Sequence, residues 1–138
     1  MSTDPTGARG TDDWRERLPE VIATTRVGFG LALMLVPSVA ARSYLGSEAR
    51  RPSVRYTSRV MGVRDVMLGL AVLSARRNGQ GEAASRALWM GAACDAFDAA
   101  AALRGRELSA WGRLLVGATG LTAAGLGVSA ALSSGSPS

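Results

Sequence analysis

Four long apolar stretches, separated by short arginine-bearing links, set the pattern of this chain. They occupy residues 21–41 (VIATTRVGFGLALMLVPSVAA), 60–75 (VMGVRDVMLGLAVLSA), 87–103 (ALWMGAACDAFDAAAAL) and 110–132 (AWGRLLVGATGLTAAGLGVSAAL). Crossing a bilayer takes roughly 20 helical residues, a length the first and fourth stretches supply. A helix on a water-soluble bundle would interrupt its apolar face with polar positions every three or four residues. From 114 to 132 the most polar residues are Thr119, Thr122 and Ser129, all at home within membranes. Gly117, Gly120, Gly125 and Pro37 recur inside these stretches, as lipid-embedded helices tolerate. The pattern predicts an all-α fold, an integral-membrane four-helix bundle over residues 20–132. Its spans fall at about 21–41, 58–76, 86–103 and 109–132. Residues 1–19 and 133–138, polar and rich in turn formers, read as disordered tails. With four spans, both termini lie on one side.

Aromatic positions support this independently of hydropathy. Trp14, Tyr44, Tyr56, Trp89 and Trp111 all fall around the ends of the apolar stretches, where amphipathic rings anchor at headgroup level. Mean hydropathy is only +0.13, because the tails and links are polar. Arg26, a short apolar run and PSVAA follow the outline of a cleaved signal peptide. The leader would be unusually long, however, and three further apolar stretches favour its retention as a span.

The net charge of +5 comes from arginine, since the chain has no lysine. These arginines punctuate apolar stretches and do not line one amphipathic face, which argues against a nucleic-acid partner. Histidine is absent, removing the commonest general base and metal ligand. Cys94 is alone, so neither an internal disulfide nor a cysteine-based metal site is expected. No cofactor and no metal is expected. Gly28 and Gly30 lack the third glycine and the preceding strand of a nucleotide fingerprint. DAFD, with Asp95 and Asp98, is similar to the acidic pairs with which prenyl-diphosphate enzymes hold Mg²⁺, but no basic diphosphate clamp stands beside it. Ala92, Ala96 and Ala100, like Gly125 and Ser129, form small-residue ridges of the kind that bring helices close.

The charges inside the apolar stretches are the informative feature. Let side X be the face carrying the link between the first and second spans, and side Y the other. At 1.5 Å per residue, Arg64 lies about 7.5 Å below side X counted from Arg59. Counted from Arg104, Asp98 lies about 9 Å and Asp95 about 13.5 Å below the same side. Arg113 is about 6 Å below it, counted from Ser109. Arg64, Asp65, Asp95, Asp98 and Arg113 are therefore expected in one leaflet as a polar cluster. Asp95 and Asp98, three residues apart, share a helix face. The expected pairing sets Arg64 and Arg113 against these two aspartates, with Asp65 finding Arg59 or a loop. Arg26 is expected to snorkel to side Y. Three acids against two bases leave one aspartate to be neutralised by desolvation unless Arg59 reaches in. An isolated central Asp or Arg costs on the order of 2.5–3.5 kcal/mol on insertion. The third stretch, with two aspartates among alanines, should therefore depend on its neighbours.

At RVMGVRDVMLGLAVL (59–73), with GFGLALMLVPSVAARSYLG (28–46) before it and DAFDAAAAL (95–103) after, the chain resembles a known family. These are short four-span bacterial membrane proteins grouped as a domain of unknown function (number 4267). The most specific part is the G-x-R-D-x-x-L-G pattern, here Gly62, Arg64, Asp65, Leu68 and Gly69, with the aspartate of the third span. The resemblance implies a membrane helical bundle and brings no established activity. Three functions stay open: a structural or accessory membrane protein stapled by its polar cluster, a proton- or ion-coupled small carrier, and a membrane enzyme acting on a lipid or isoprenoid. The expected setting is the cell membrane, multi-pass. The expected partners are the lipid bilayer and other membrane proteins or a second copy. Seven link arginines on side X against six on side Y give no orientation by the positive-inside rule.

Overall fold

A computed structural model describes residues 6–40, 42, 49–104 and 110–134. For residues 6–13, 15, 110–113, 115–116 and 133–134 it describes the backbone alone. The described residues are all-α, with no strand. The helices are α1 (Thr6–Leu35), α2 (Pro37–Ala40), α3 (Pro52–Arg77), α4 (Gly81–Arg104) and α5 (Ala110–Ser134).

Local chemistry explains the boundaries. α1 stops at Leu35 because Pro37 disfavours helical geometry at Val36, and Pro37 then opens α2 at a position where its missing N–H costs nothing. Pro52 opens α3 in the same way, with Arg51 extended before it. The α3–α4 turn is a glycine-closed C-cap. Gln80 N–H donates to the Ala75 carbonyl at 2.8 Å and Gly79 N–H to that of Arg76 at 3.1 Å. Gly79 takes φ +68°, which only glycine adopts without strain. Asn78-Gly79 thus forms the turn between α3 and α4. Two expectations fail. The stretch to residue 19, read as a disordered tail, is helical from Thr6 onward, and Pro19 is fully buried within α1. The first span, read as continuous to residue 41, is interrupted at Val36.

The four long helices each pack on two neighbours, α1 on α3 and α5, and α4 on α3 and α5, with α1–α3 and α4–α5 the closest pairs. Glycine sets the α1–α3 approach. A Cβ placed at Gly62 would lie 2.5 Å from the Gly30 carbonyl oxygen, and one at Gly69 would lie 2.7 Å from that of Ala23. Gly120 and Gly127 of α5 meet Ala99 and Ala92 of α4 in the same manner. Of the small-residue ridges expected from the sequence, Ala92 takes part in this contact, whereas Ala96, Gly125 and Ser129 are exposed and a Cβ at Gly125 would meet open space.

Burial is inverted with respect to side-chain size. The buried apolar residues are mostly alanines, among them Ala23, Ala75, Ala84, Ala92, Ala99 and Ala130, with Leu33, Leu88 and Val72. Outward-facing positions carry the bulk: Leu35 and Phe97 are 75% exposed, and Met67, Met90, Leu121 and Leu132 also face out. One buried cluster, Ala23, Val72, Ala87, Leu88, Ala130 and Ala131, fills the half of the structure nearer side Y. Toward side X, buried Leu33, Ala49 and Ala99 accompany a group of charged side chains.

Candidate functional site

Asp65 is 6% exposed, among the most buried polar residues described. The G-x-R-D-x-x-L-G pattern explains how it gets there. Gly62 and Gly69 lie seven residues apart on the α3 face that meets α1, and their missing side chains let α1 come close. That approach carries Arg26 of α1 to the level of Asp65. Arg26 Nη1 donates to Asp65 Oδ1 at 3.1 Å.

The same guanidinium crosses to α4, where its Nη2 hydrogen-bonds Asp95 Oδ2. Gly91, one turn before Asp95, makes the crossing possible. A Cβ there would lie 3.1 Å from Arg26 Nη2 and 3.2 Å from Cζ, so any larger side chain presses on the guanidinium. Arg26 thus joins α1 to α3 and α4 at once, with its two nitrogens on two carboxylates, the fork geometry for which arginine is suited.

Arg64 extends the network toward side X. Its Nη2 donates to Asp98 Oδ2 at 2.8 Å, linking α3 to α4. It also reaches its neighbour Asp65 at 3.3 Å, with Nε at 3.4 Å, contacts long enough to orient more than to bind. The order Asp95–Arg26–Asp65–Arg64–Asp98 forms one chain of charges over three helices. No buried polar side-chain atom among the described residues lacks a partner. The inner part is the more enclosed, with Arg26, Asp65 and Asp95 side chains at 12%, 9% and 12% exposure, against 29% for both Arg64 and Asp98.

A small cavity touches Arg26 on the side Y flank, lined also by Gly69, Val72, Leu88, Gly91 and Gly127. Its room for the centre of a water molecule is about 10 Å³, enough for one water. Asp65, Asp95 and Asp98 do not line it. Among the described residues no group of three or more histidine, cysteine or acidic side chains is placed to hold a metal ion.

Four of the five cluster residues expected from the sequence come together here: Arg64, Asp65, Asp95 and Asp98. The Arg64–Asp98 pair joins α3 to α4, the two segments it was expected to join. Arg113 lies in α5, but its side chain is outside the described residues, as is its expected pairing with an aspartate. Arg59 is exposed, and Asp65 is bound by Arg26 and Arg64. The expectation for Arg26 is corrected: it does not run out to side Y but is the central cation. Counting down from the apolar stretch's first residue misplaced it. Counting from Val36, where α1 breaks, Arg26 lies about 15 Å below side X, close to the depth of Asp95. The surplus of acid over base was a second signal that a cation was missing.

The model of one protein family matches residues 23–130 of the chain, described as a domain of unknown function (DUF4267), and the chain belongs to that family. No curated protein and no solved structure matches it.

Proposed function

We propose that the chain is a small integral membrane protein of structural or accessory role, its four long helices each crossing the cell membrane and held in register by the Arg26-centred ion network. Lipid as the surrounding solvent is supported by the inverted burial. Leucine, methionine and phenylalanine face out while alanine, glycine and paired charges face in, and patches of this kind mark interaction or membrane surfaces. One helix segment, Glu16–Leu35, is long and apolar enough to cross a bilayer, with Arg26 near its midpoint. The 16-residue apolar segment Gly117–Leu132 of α5 is shorter. α3 and α4 carry too much charge to insert alone, and the ion network is what makes them acceptable to lipid. Trp14, Tyr56 and Trp89 are exposed, as interface anchors require.

The observation that carries the structural role is the closure of the network on itself. Each aspartate has an arginine partner, and the adjoining space has room for about one water. A carrier or an enzyme would work through a wet path to Asp95, and the cavity found among the described residues lies instead against Arg26. Replacing both Asp95 and Asp98 by asparagine tests the reading. The double variant is expected to lose most of its folded, membrane-extracted protein, because it leaves Arg26 and Arg64 to share the one carboxylate of Asp65 in a low-dielectric interior. Recovery of folded protein at the wild-type level would contradict it.

A further inference from the structure

Side X and side Y differ in net charge, although their arginine counts are nearly equal. By sequence, side X carries Arg42, Arg50, Arg51, Arg55 and Arg59 in and after the α2–α3 link, with Arg104 and Arg106 at the α4–α5 link, against only Glu48 and Glu107. Side Y carries six arginines against six acids: Asp4, Asp12, Asp13, Glu16, Glu20 and Glu82. Arg76 of side Y is moreover tied to α1, through Glu20 at 3.3 Å and the Glu16 carbonyl at 3.0 Å. The remaining charges, Arg26, Arg64 and Arg113 with Asp65, Asp95 and Asp98, balance, so the whole +5 of the chain belongs to side X.

On α3 this charge is arranged in a particular way. Arg55 and Arg59, one turn apart, are exposed on a helix face that continues downward as Val63, Met67 and Leu70, all exposed. One outward stripe therefore presents two guanidinium groups at the level of side X and about 16 Å of apolar surface below them. Tyr56 stands beside the arginines, 72% exposed.

We propose that this stripe is a docking site for an anionic phospholipid, its phosphate held by Arg55 and Arg59 and an acyl chain laid along Val63, Met67 and Leu70. The inference rests on the membrane reading above. Guanidinium groups bind phosphate by paired, charge-assisted hydrogen bonds, and each basic residue at a charged membrane surface contributes about five-fold in affinity. A zwitterionic lipid offers the same acyl chain but brings its own ammonium against the arginines. The stripe accordingly selects for headgroup charge.

The test reconstitutes the full chain into vesicles containing spin-labelled phosphatidylglycerol or phosphatidylcholine and compares the lipid immobilised by protein. The wild-type chain is expected to prefer phosphatidylglycerol. R55Q/R59Q should lower that preference about five-fold or more, while R77Q/R86Q on side Y leaves it intact. Equal immobilisation of both lipids by the wild-type chain, a preference unchanged in R55Q/R59Q, or one lost equally in R77Q/R86Q would each overturn the proposal. Flotation of the same samples separates the two claims. A chain that floats with both vesicle types but shows no preference overturns the lipid site alone, and one that floats with neither overturns the membrane reading beneath it.

Discussion

Replacing Arg26 by methionine removes the one side chain that joins α1, α3 and α4, and the structure sets the size of the effect. Two charge-assisted hydrogen bonds disappear, to Asp65 and to Asp95. Such bonds are worth about 1.5–3 kcal/mol each. Asp65 keeps only the long contacts from Arg64 at 3.3 and 3.4 Å. Removing one partner of a buried ion pair costs about 3–5 kcal/mol, so the two estimates converge near 4 kcal/mol, nearly a thousand-fold in the folded-to-unfolded ratio. Neutralising the whole inner group should reverse most of this. R26M/D65N/D95N leaves no unpaired charge at the centre, and replacing a buried ion pair outright is often neutral or stabilising. The assay is equilibrium unfolding in mixed micelles, with the denaturing detergent fraction raised stepwise and helicity followed by circular dichroism. A single variant less than about 1 kcal/mol below wild type would refute the reasoning, because unpaired buried charge is expected to cost several-fold more. So would a triple variant as unstable as the single one.

The glycines divide by what surrounds them. Gly62→Ala forces a Cβ to within 2.5 Å of the Gly30 carbonyl and should lose about 1–3 kcal/mol or more in the same titration, whereas Gly28→Ala and Gly125→Ala, with open space at the Cβ position, should be neutral or slightly stabilising. Gly91→Ala sets a methyl 3.1 Å from Arg26 Nη2; its loss should fall between these and should shrink in the R26M background, a coupling that a double-mutant cycle measures. Glu20→Gln removes the Arg76–Glu20 pair, in which Glu20 is 57% exposed, and should change stability by less than about 1 kcal/mol.

What was legible in the sequence follows the range of each signal. Apolar stretches act locally, so four long helices could be expected from residues alone. Counting helical rise from the link side also placed Arg64, Asp65, Asp95 and Asp98 at related depths, because that count needs only the ends of α3 and α4. Arg26 was misplaced because its depth depends on where α1 crosses side X. The Pro37 break sets that reference, and the helix running back to Thr6 removes the side Y end from which the first apolar residue was counted. The role of Gly91 was not legible at all. One glycine in an alanine-rich helix carries no mark of the arginine that will cross it from α1. Gly62 and Gly69 were visible as a pattern, but their meaning, a backbone approach that delivers Arg26 to Asp65, needed the tertiary contact.

The central claim is that lipid surrounds these helices and the charges meet inside it. Cys94, the chain's own single cysteine, lies one residue before Asp95 at the level of the network. Its reaction with a charged maleimide, in membranes opened so that both faces are reached, tests the claim most directly. The account predicts that Cys94 stays unmodified in intact bilayers and reacts only after the fold is dissolved in denaturing detergent. Rapid modification in the intact membrane, or recovery of the chain in the detergent-free supernatant, would contradict it.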